Sequence, residues 1–294
     1  MWPKKTRRPP TPRPPEVALP EDSLDWPADL PAASEPMLRA ARRLLRRKER
    51  QIARRFLAEG PQVISEALGR PNTVIELMVV EDRLDRHREL LNVAYGLGVR
   101  IAVAPARAIA QLAETVTPQG LVAVCQMIDV PADEALNSRS RLIMLCDQVR
   151  DPGNLGTVIR CADAFGADAV LISRDSVDLY NAKTVRATTG SLFHFPIAVG
   201  VDFADAVALA RDLGMRVLGA DAAAACSVND LAQSNELAKP TLWVMGNEAW
   251  GLPAEHAMLL DRLVALPRYG KAESINLSTA AAVLLYASAT AQRS

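Results

Sequence analysis

Three polar clusters in the second half of the chain contain residues whose types could do chemistry. They run from Asn154 to Arg160, from Gly246 to Gly251 and from Ser274 to Asn276. Each cluster is set into a stretch of apolar residues that would otherwise form core. Because buried polar groups are costly unless they are paired, these positions indicate one site assembled from three parts of the chain.

The elements that must position these clusters follow an alternating pattern. From residue 141 onward, apolar strands such as RLIMLCD, DAVLIS and TLWVMG alternate with helices such as NLGTVIRCADAF and the final SINLSTAAAVLLYASATA. Continuous apolar strands separated by helices predict an α/β fold with a parallel sheet covered on both faces. In such sheets, ligands bind beyond the carboxyl ends of the strands, and all three clusters fall there.

Most cluster residues also have a simple structural explanation when each is taken alone. Asn154 can cap the helix that follows it, Glu248 can be a turn acid, and Ser274 and Asn276 can cap the last helix. A helix N-terminus with free N–H groups would equally suit an anionic or carboxylate ligand. Gly246 follows a strand directly, where the missing side chain lets a ligand approach the backbone.

Arg160 is the cluster residue that capping does not explain. It lies six residues after Asn154, within the apolar helix face TVIRCADAF. A guanidinium in that setting should have a phosphate or a carboxylate as its partner.

Composition narrows the class of protein. A chain of 294 residues with 49% apolar residues can bury a large core and exceeds the usual size of one domain. No apolar run is suited to span a bilayer and no signal-like segment opens the chain, so we expect a cytoplasmic protein. The four cysteines lie far apart without a CxxC pair and the three histidines are scattered, which predicts reduced thiols and no metal site.

The formal net charge of zero hides a strong asymmetry. Residues 1–55 carry 14 Lys and Arg against seven Asp and Glu, and the rest of the chain carries the compensating acidic surplus. Such a basic segment is typical of proteins that bind nucleic acid, although a solvated Arg-rich helix would look the same.

Domain boundaries follow from composition and pattern. Residues 1–36 are rich in proline and predict a disordered or extended tail, and a helix is predicted from Met37 to Gly60. Residues 37–130 then read as a small α/β domain, residues 131–140 as a polar linker, and residues 141–294 as the second domain. A Rossmann-type nucleotide enzyme is disfavoured, because the turn after RLIMLCD lacks GxGxxG and no matched acid ends the next strand.

In this order and spacing, NxGxxxR, GNExxGL and PxxGxxESxNxS resemble the three motifs of the SpoU, or TrmH-like, branch of the SPOUT RNA methyltransferases. The resemblance covers about 140–294. A weaker one, carried by RRFLAEGPQVISEAL and TPQGLVAVCQ over about 52–126, is to the substrate-binding domain of the same family. The resemblance of the three motifs implies a homodimer that transfers a methyl group from S-adenosylmethionine to a ribose 2′-hydroxyl of RNA. It also implies a C-terminal trefoil knot at about 240–294.

The resemblance also assigns roles to residues. The catalytic residues that it implies are Asn154, Arg160, Glu248, Ser274 and Asn276. The implied cofactor contacts are Thr189, Gly190, Gly246, Leu266, Ser274 and Leu277. The basic segment predicts RNA contacts by Arg42, Arg43, Arg46, Arg47, Arg54 and Arg55. At the pocket edge, Arg268 stands where many relatives have an apolar residue.

The same resemblance bears on the mechanism and on the substrate. Such enzymes are proposed to use an arginine as a base, but a guanidinium pKa above about 12 fits poorly, so we favour a role for Arg160 in holding phosphate and stabilising an alkoxide. The added N-terminal domain favours large-subunit rRNA over tRNA. A tRNA ribose methyltransferase and a non-catalytic RNA-binding relative are the alternatives.

Overall fold

The structure, a computed structural model, describes residues 30–294 and contains two β-sheets. Most of the predicted proline-rich tail, residues 1–29, lies outside the described residues. Within the remainder, Ala32 pairs with Val103, and the first helix already begins at Glu35 with Ser34 as its N-cap. Within the described residues, regular structure is therefore already present before Met37.

The first sheet has four strands and belongs to the N-terminal α/β region. Its strands are β1 (Arg55–Glu59), β2 (Val74–Val79), β3 (Arg100–Val103) and β4 (Leu121–Gln126). The helices around it are α1 (Glu35–Arg43), α2 (Arg47–Ala53), α3 (Pro61–Leu68), α4 (Arg88–Gly96) and α5 (Ala106–Leu112). The strand order is β1-β4-β2-β3, with β4 antiparallel to both of its neighbours. The predicted small α/β domain is therefore present.

The predicted single helix from Met37 to Gly60 is wrong. It is divided into α1 and α2, and the chain then turns at Arg54, whose φ of 52° is left-handed, and enters β1. In β1, Phe56 pairs with Cys125 of β4 and is fully buried. Pairing with a strand far along the chain outweighs the local helical pattern here.

The second sheet has seven strands, and every pairing in it is parallel. Its strands are β5 (Leu142–Cys146), β6 (Ala169–Ser173), β7 (Ile197–Val201), β8 (Arg216–Ala220), β9 (Cys226–Ser227), β10 (Thr241–Met245) and β11 (Arg262–Ala265). The order is β7-β6-β5-β10-β8-β11-β9, so β10 lies between β5 and β8. The predicted parallel sheet is confirmed.

Helices cover both faces of this sheet. They are α6 (Ala132–Ala135), α7 (Pro152–Ala164), α8 (Ala182–Thr188), α9 (Phe203–Asp212), α10 (Val228–Gln233), α11 (Ala254–Ala257) and α12 (Leu277–Arg293). Along β5, Met144 packs with α7 and α12 on one face, whereas Leu145 packs with α9 on the other. This alternation explains why β5 is apolar throughout, since both of its faces are core.

The segment predicted to be a linker is packed rather than extended. It contains α6, and Ala135 and Leu136 are buried against the face of the sheet that α9 covers. The boundary between the two domains remains a prediction. Among residues 30–294, no helix has both the length and the apolar character needed to cross a membrane.

Buried contacts join the two sheets. Phe56 of β1 packs against Tyr180 with the two rings tilted and their centroids 4.6 Å apart, and both rings belong to a core that continues into the second domain. Arg50 of α2 is paired with Asp178 at 2.5 Å, and both side chains are almost fully buried. The first domain therefore packs on the same side of the large sheet as α7.

Candidate active site

Side chains from all three polar clusters meet in one hydrogen-bonded chain. The Asn154 amide donates from Nδ2 to Glu248 Oε1 at 3.2 Å. The Asn276 amide donates from Nδ2 to Asn154 Oδ1 at 3.0 Å. Asn154 follows β5, Glu248 follows β10 and Asn276 precedes α12, so the site forms where these segments converge at the carboxyl ends of adjacent parallel strands.

Asn154 does not cap its helix, contrary to the simpler interpretation of its position. The N-cap of α7 is Asp151, whose side chain accepts a hydrogen bond from the Asn154 backbone N–H at 2.8 Å. Pro152 occupies the first turn, which its fixed φ suits. The Asn154 side chain is left to link Glu248 with Asn276.

The Glu248 carboxylate accepts hydrogen bonds from the segment that leads into α7. Its carboxylate accepts the backbone N–H groups of Arg150 and Asp151, each at 3.1 Å, in addition to the Asn154 amide. Partial burial acts to raise the pKa of Glu248, but these hydrogen bonds and that of its own N–H outweigh it and leave the pKa below its usual value. Glu248 is therefore ionised at neutral pH and suited to orient donors.

Asn276 serves both as a cap and as a site residue. It is the N-cap of α12, and its Oδ1 accepts the backbone N–H of Ser278 at 2.9 Å and of Thr279 at 3.3 Å. Its Nδ2 is then directed to Asn154. The two interpretations of this residue are compatible, because the amide has an acceptor for the helix and a donor for the site.

The loop after β10 folds tightly back on itself. Asn247 and Gly251 exchange two backbone hydrogen bonds, of 2.8 and 3.0 Å. A Cβ at Gly246 would lie 2.5 Å from the carbonyl carbon of Gly251. Glycine is thus required at position 246 by the loop itself, and not only by a ligand. Asn247, which sequence analysis missed, ties this loop to the β5 segment by donating to the Gln148 carbonyl oxygen at 2.8 Å.

Arg160 lies on the outer surface of α7. It is exposed, not part of an apolar helix face as predicted, and it has no hydrogen-bond or ion-pair partner within residues 30–294. Six residues of helix separate it from Asn154, about 9 Å along the axis. Ser274 is also exposed and has no such partner in the described part of the chain. Neither side chain is joined to the Asn154 cluster.

The predicted cofactor residues fall into two groups. Leu266 is half-buried directly after β11, and Leu277 is buried in the first turn of α12, so both lie, like Gly246 after β10, at the carboxyl end of the sheet. Thr189 and Gly190 instead follow α8, and a Cβ at Gly190 would overlap Cγ of Glu66 in the first domain. No hydrogen bond among residues 30–294 joins them to Gly246.

The chemistry of these loops suits a ligand with one apolar and one polar end. Leu266, on the loop after β11, and Ala220, the last residue of β8, are half-buried apolar side chains. Arg268 connects the same two loops, donating to the Glu273 carbonyl oxygen at 2.7 Å and to that of Ala222 at 3.5 Å. S-adenosylmethionine, which has an adenine ring and a charged amino-acid end, fits such a setting.

The six arginines predicted to bind RNA divide evenly. Three form ion pairs within the protein: Arg42 with Glu35, Arg43 with Glu49 and Arg54 with Asp129. The other three are exposed and have no ion pair in the described part of the chain: Arg46, Arg47 and Arg55. Within residues 30–294, no group of three or more His, Cys, Asp or Glu side chains is arranged to hold a metal.

Comparison with known proteins agrees with this arrangement. Residues 141–286 match the family model of the SpoU rRNA methylases, and residues 35–123 match an MRM3-like substrate-binding domain. The chain is 35% identical to 23S rRNA (guanosine(2553)-2′-O)-methyltransferase RlmP of Bacillus subtilis, over 83% of this chain and 92% of that protein. It is 34% identical to a 23S rRNA (uridine(2479)-2′-O)-methyltransferase of Streptomyces viridochromogenes, over 82% and 84%.

Solved structures give the same result. The SpoU methyltransferase AviRb from Streptomyces viridochromogenes, in complex with the cofactor AdoMet, has a TM-score of 0.74 and 30% identity, covering 86% of this chain and 97% of that one. An AdoMet-bound rRNA methyltransferase from Sinorhizobium meliloti also has a TM-score of 0.74, with 28% identity and coverage of 88% and 96%. Fold and site thus define a two-domain α/β protein with a strand-end site. The chain belongs to the SpoU methylase family, as its three motifs indicated.

Proposed function

We propose that this protein transfers a methyl group from S-adenosylmethionine to a ribose 2′-hydroxyl of 23S rRNA. The observation that carries the proposal is the hydrogen-bonded chain from Glu248 through Asn154 to Asn276 at the strand ends. Relatives named as 23S rRNA 2′-O-methyltransferases support the reaction and the RNA class. The N-terminal substrate-binding domain supports rRNA over tRNA.

The cofactor would be held by the loops after β10 and β11. Its sulfonium supplies a methyl group already activated for transfer to oxygen. Gly246, Leu266, Ser274 and Leu277 are the residues proposed to hold it. Thr189 and Gly190, on the loop after α8, are proposed as further cofactor contacts; Gly190 lies close to Glu66 of the first domain.

The residues of the chain have two tasks, to position the ribose and to stabilise its deprotonated oxygen. The Arg160 guanidinium is free to bind an RNA phosphate and to stabilise charge developing on the 2′-oxygen. It does not itself accept the proton, which leaves through a phosphate oxygen or water. Glu248 is a fixed carboxylate, and together with Asn154 it orients the ribose and its surroundings, while Ser274 and Asn276 shape the pocket.

A homodimer fits an exposed apolar face of α12. Val283 and Tyr286 on α12 are 43% and 59% exposed, and Tyr286 packs edge-on against Phe165 with centroids 5.6 Å apart. A second copy seated on this face would cover apolar area that water otherwise contacts. Light scattering should give twice the chain mass, and Tyr286→Glu should lower it to that of a monomer.

We also propose a trefoil knot at about 240–294 and a cytoplasmic location. The insertion of β10 between β5 and β8, followed by the return of α12 onto α7, supports the knot. Mechanical stretching of the denatured chain tests it, because a knotted chain reaches a shorter full length than an unknotted chain with the same number of residues.

The function is tested by methyl transfer. Purified protein, methyl-labelled S-adenosylmethionine and either 23S rRNA or tRNA should give label in 23S rRNA alone, on a ribose 2′-oxygen identified by mass spectrometry. Calorimetry should also show cofactor binding. Label in tRNA alone would favour a tRNA ribose methyltransferase. A protein that binds no cofactor would overturn the proposal that it is a methyltransferase. Asn154→Ala is the matched inactive control.

A further inference from the structure

A buried aspartate lies at the end of β5, next to the site. The Asp147 side chain is 1% exposed, and its Oδ2 is 2.6 Å from Nδ1 of His256. Its other oxygen, Oδ1, is buried and has no protein hydrogen-bond partner within the described residues. Since a buried charge needs a partner, the side chain of His256 is what compensates this carboxylate.

The imidazole ring of His256 makes two contacts: its Nδ1 meets Asp147, and its face packs on an aromatic ring. Its ring lies over the ring of Phe203, the first residue of α9, with centroids 3.9 Å apart and an interplanar angle of 4°. The imidazole therefore has a fixed position between the β5 segment and α9. Its own helix, α11, comes directly after the loop that carries Gly246 and Glu248.

This pair ties the far end of the loop after β10 to the segment after β5. The near end is already tied there, because Asn247 donates to the Gln148 carbonyl oxygen and Glu248 accepts from the Arg150 and Asp151 N–H groups. Without the contact between Asp147 and His256, residues 249–256 would keep fewer links to the sheet.

We propose that Asp147 and His256 are positioning residues that hold the loop of residues 246–256 in the shape that binds the cofactor. The proposal rests on the proposed function, because the ligand of this loop is the methyl donor. Freeing the loop adds conformations that binding must then restrict, so cofactor affinity falls. Glu248 and Asn154 keep their own hydrogen bonds, so turnover with saturating cofactor is retained.

The test must separate positioning from stability, because His256→Leu leaves a buried charge unpaired. Three variants do so. His256→Leu removes the contact, and His256→Asn keeps an amide N–H close to the place of Nδ1. In the double variant, Asp147→Asn with His256→Leu, the buried charge is absent but the contact is still missing.

We expect calorimetry to show an affinity for S-adenosylmethionine about tenfold weaker in His256→Leu. The KM for the cofactor should rise accordingly, while kcat stays within about twofold and His256→Asn restores most of the affinity. The double variant should recover melting temperature but not affinity. If the double variant recovers both, or if kcat falls while affinity is unchanged, the positioning role is wrong.

A matched control separates this inference from the proposed function. Arg211→Gln breaks an ion pair with Asp261, 2.7 Å long, just before β11 begins, and should leave cofactor affinity unchanged. If the wild-type protein binds no S-adenosylmethionine, the function fails. If the wild type binds and His256→Leu binds equally well, only the inference fails.

Discussion

The junction between the domains and the outer surface of α7 each carry an arginine, Arg50 and Arg160, and the two differ in how fully they are paired. At the junction, Arg50 is buried against Asp178, and it also donates to the carbonyl oxygens of Leu44 and Leu45 at 2.8 and 2.9 Å. On the outer surface of α7, Arg160, which is proposed to act at the strand-end site, is exposed and has no hydrogen-bond or ion-pair partner within residues 30–294. Paired arginines stabilise the fold, whereas an unpaired one is available to a ligand.

The same distinction corrects the simplest interpretation of the basic N-terminal segment. Its charge surplus predicted RNA contacts along the whole run of arginines. The structure shows that Arg42, Arg43 and Arg54 have acidic partners within the protein. We therefore expect these three arginines to contribute less to RNA binding than the charge count alone predicts.

The largest effect should come from the unpaired arginine of the site. Arg160→Ala removes the proposed phosphate and alkoxide interaction and should lower the rate of methyl transfer about 10³-fold, or ~4 kcal/mol. Since the side chain has no hydrogen-bond or ion-pair partner within residues 30–294, the melting temperature should change little. Arg139→Ala, an exposed arginine of the segment predicted to be a linker, is the control for general loss of charge.

Arg160→Lys sharpens this prediction. Lysine keeps the positive charge but not the planar fork, so weak activity with an unchanged pH–rate profile agrees with a role in charge stabilisation. A profile shifted to the lysine pKa would instead identify this position as the base. An Arg160→Ala variant with nearly normal turnover would remove the residue from the mechanism.

The next largest effect concerns the junction. Arg50→Leu leaves the Asp178 carboxylate nearly buried and without its guanidinium, which should lower the free energy of unfolding by about 3 kcal/mol in urea titrations. Arg54→Gln breaks a more exposed pair with Asp129 and should cost less than about 1 kcal/mol. Equal costs for the two variants would contradict the distinction between buried and exposed pairs.

Local patterns predicted the parts of this molecule that local physics determines. Apolar runs predicted six of the seven strands of the large sheet, all but the two-residue β9, and motif spacing selected Asn154, Glu248 and Asn276, which the structure brings together. The parts that were missed depend on partners that are far apart in the chain: Arg50 and Asp178 are separated by 128 residues, and Asp147 and His256 by 109. Strand β1 was missed for the same reason, because β4 buries it.

A third prediction concerns a histidine that joins the domains and titrates. His194 contacts Asp163 of α7 at 2.7 Å and Glu66 of α3 at 3.1 Å, and the hydrogen bond to Asp163, followed by that to Glu66, raises its pKa to about 9. The folded state thus favours the protonated ring. Its contribution is complete below the unfolded pKa near 6.5 and is lost as the pH rises through about 9.

Replacement of this histidine should remove part of that pH dependence. The free energy of unfolding of the wild type should fall by about 1 kcal/mol between these pH values, a modest figure because solvent reaches the ring. In His194→Gln the decline should be smaller. Lys183→Gln is the control. It breaks an exposed ion pair with Asp151, and Lys183 lowers the pKa of that carboxyl group. This variant should therefore change the pH dependence of the free energy of unfolding only at acid pH. Parallel curves for wild type and His194→Gln would refute the role of this ring.

The smallest effect separates free from paired arginines in RNA binding. Removing one arginine–phosphate interaction should reduce the slope of log affinity against log salt by about 0.7 to 0.9. Replacing Arg46, Arg47 and Arg55 with Gln should therefore lower the slope by about 2 if all three bind phosphate. Replacing Arg42, Arg43 and Arg54 should lower it less, because each must first leave an acidic partner to meet RNA. Equal slopes for the two triple variants would mean that RNA displaces the internal ion pairs, and that pairing in the free protein does not define its RNA surface.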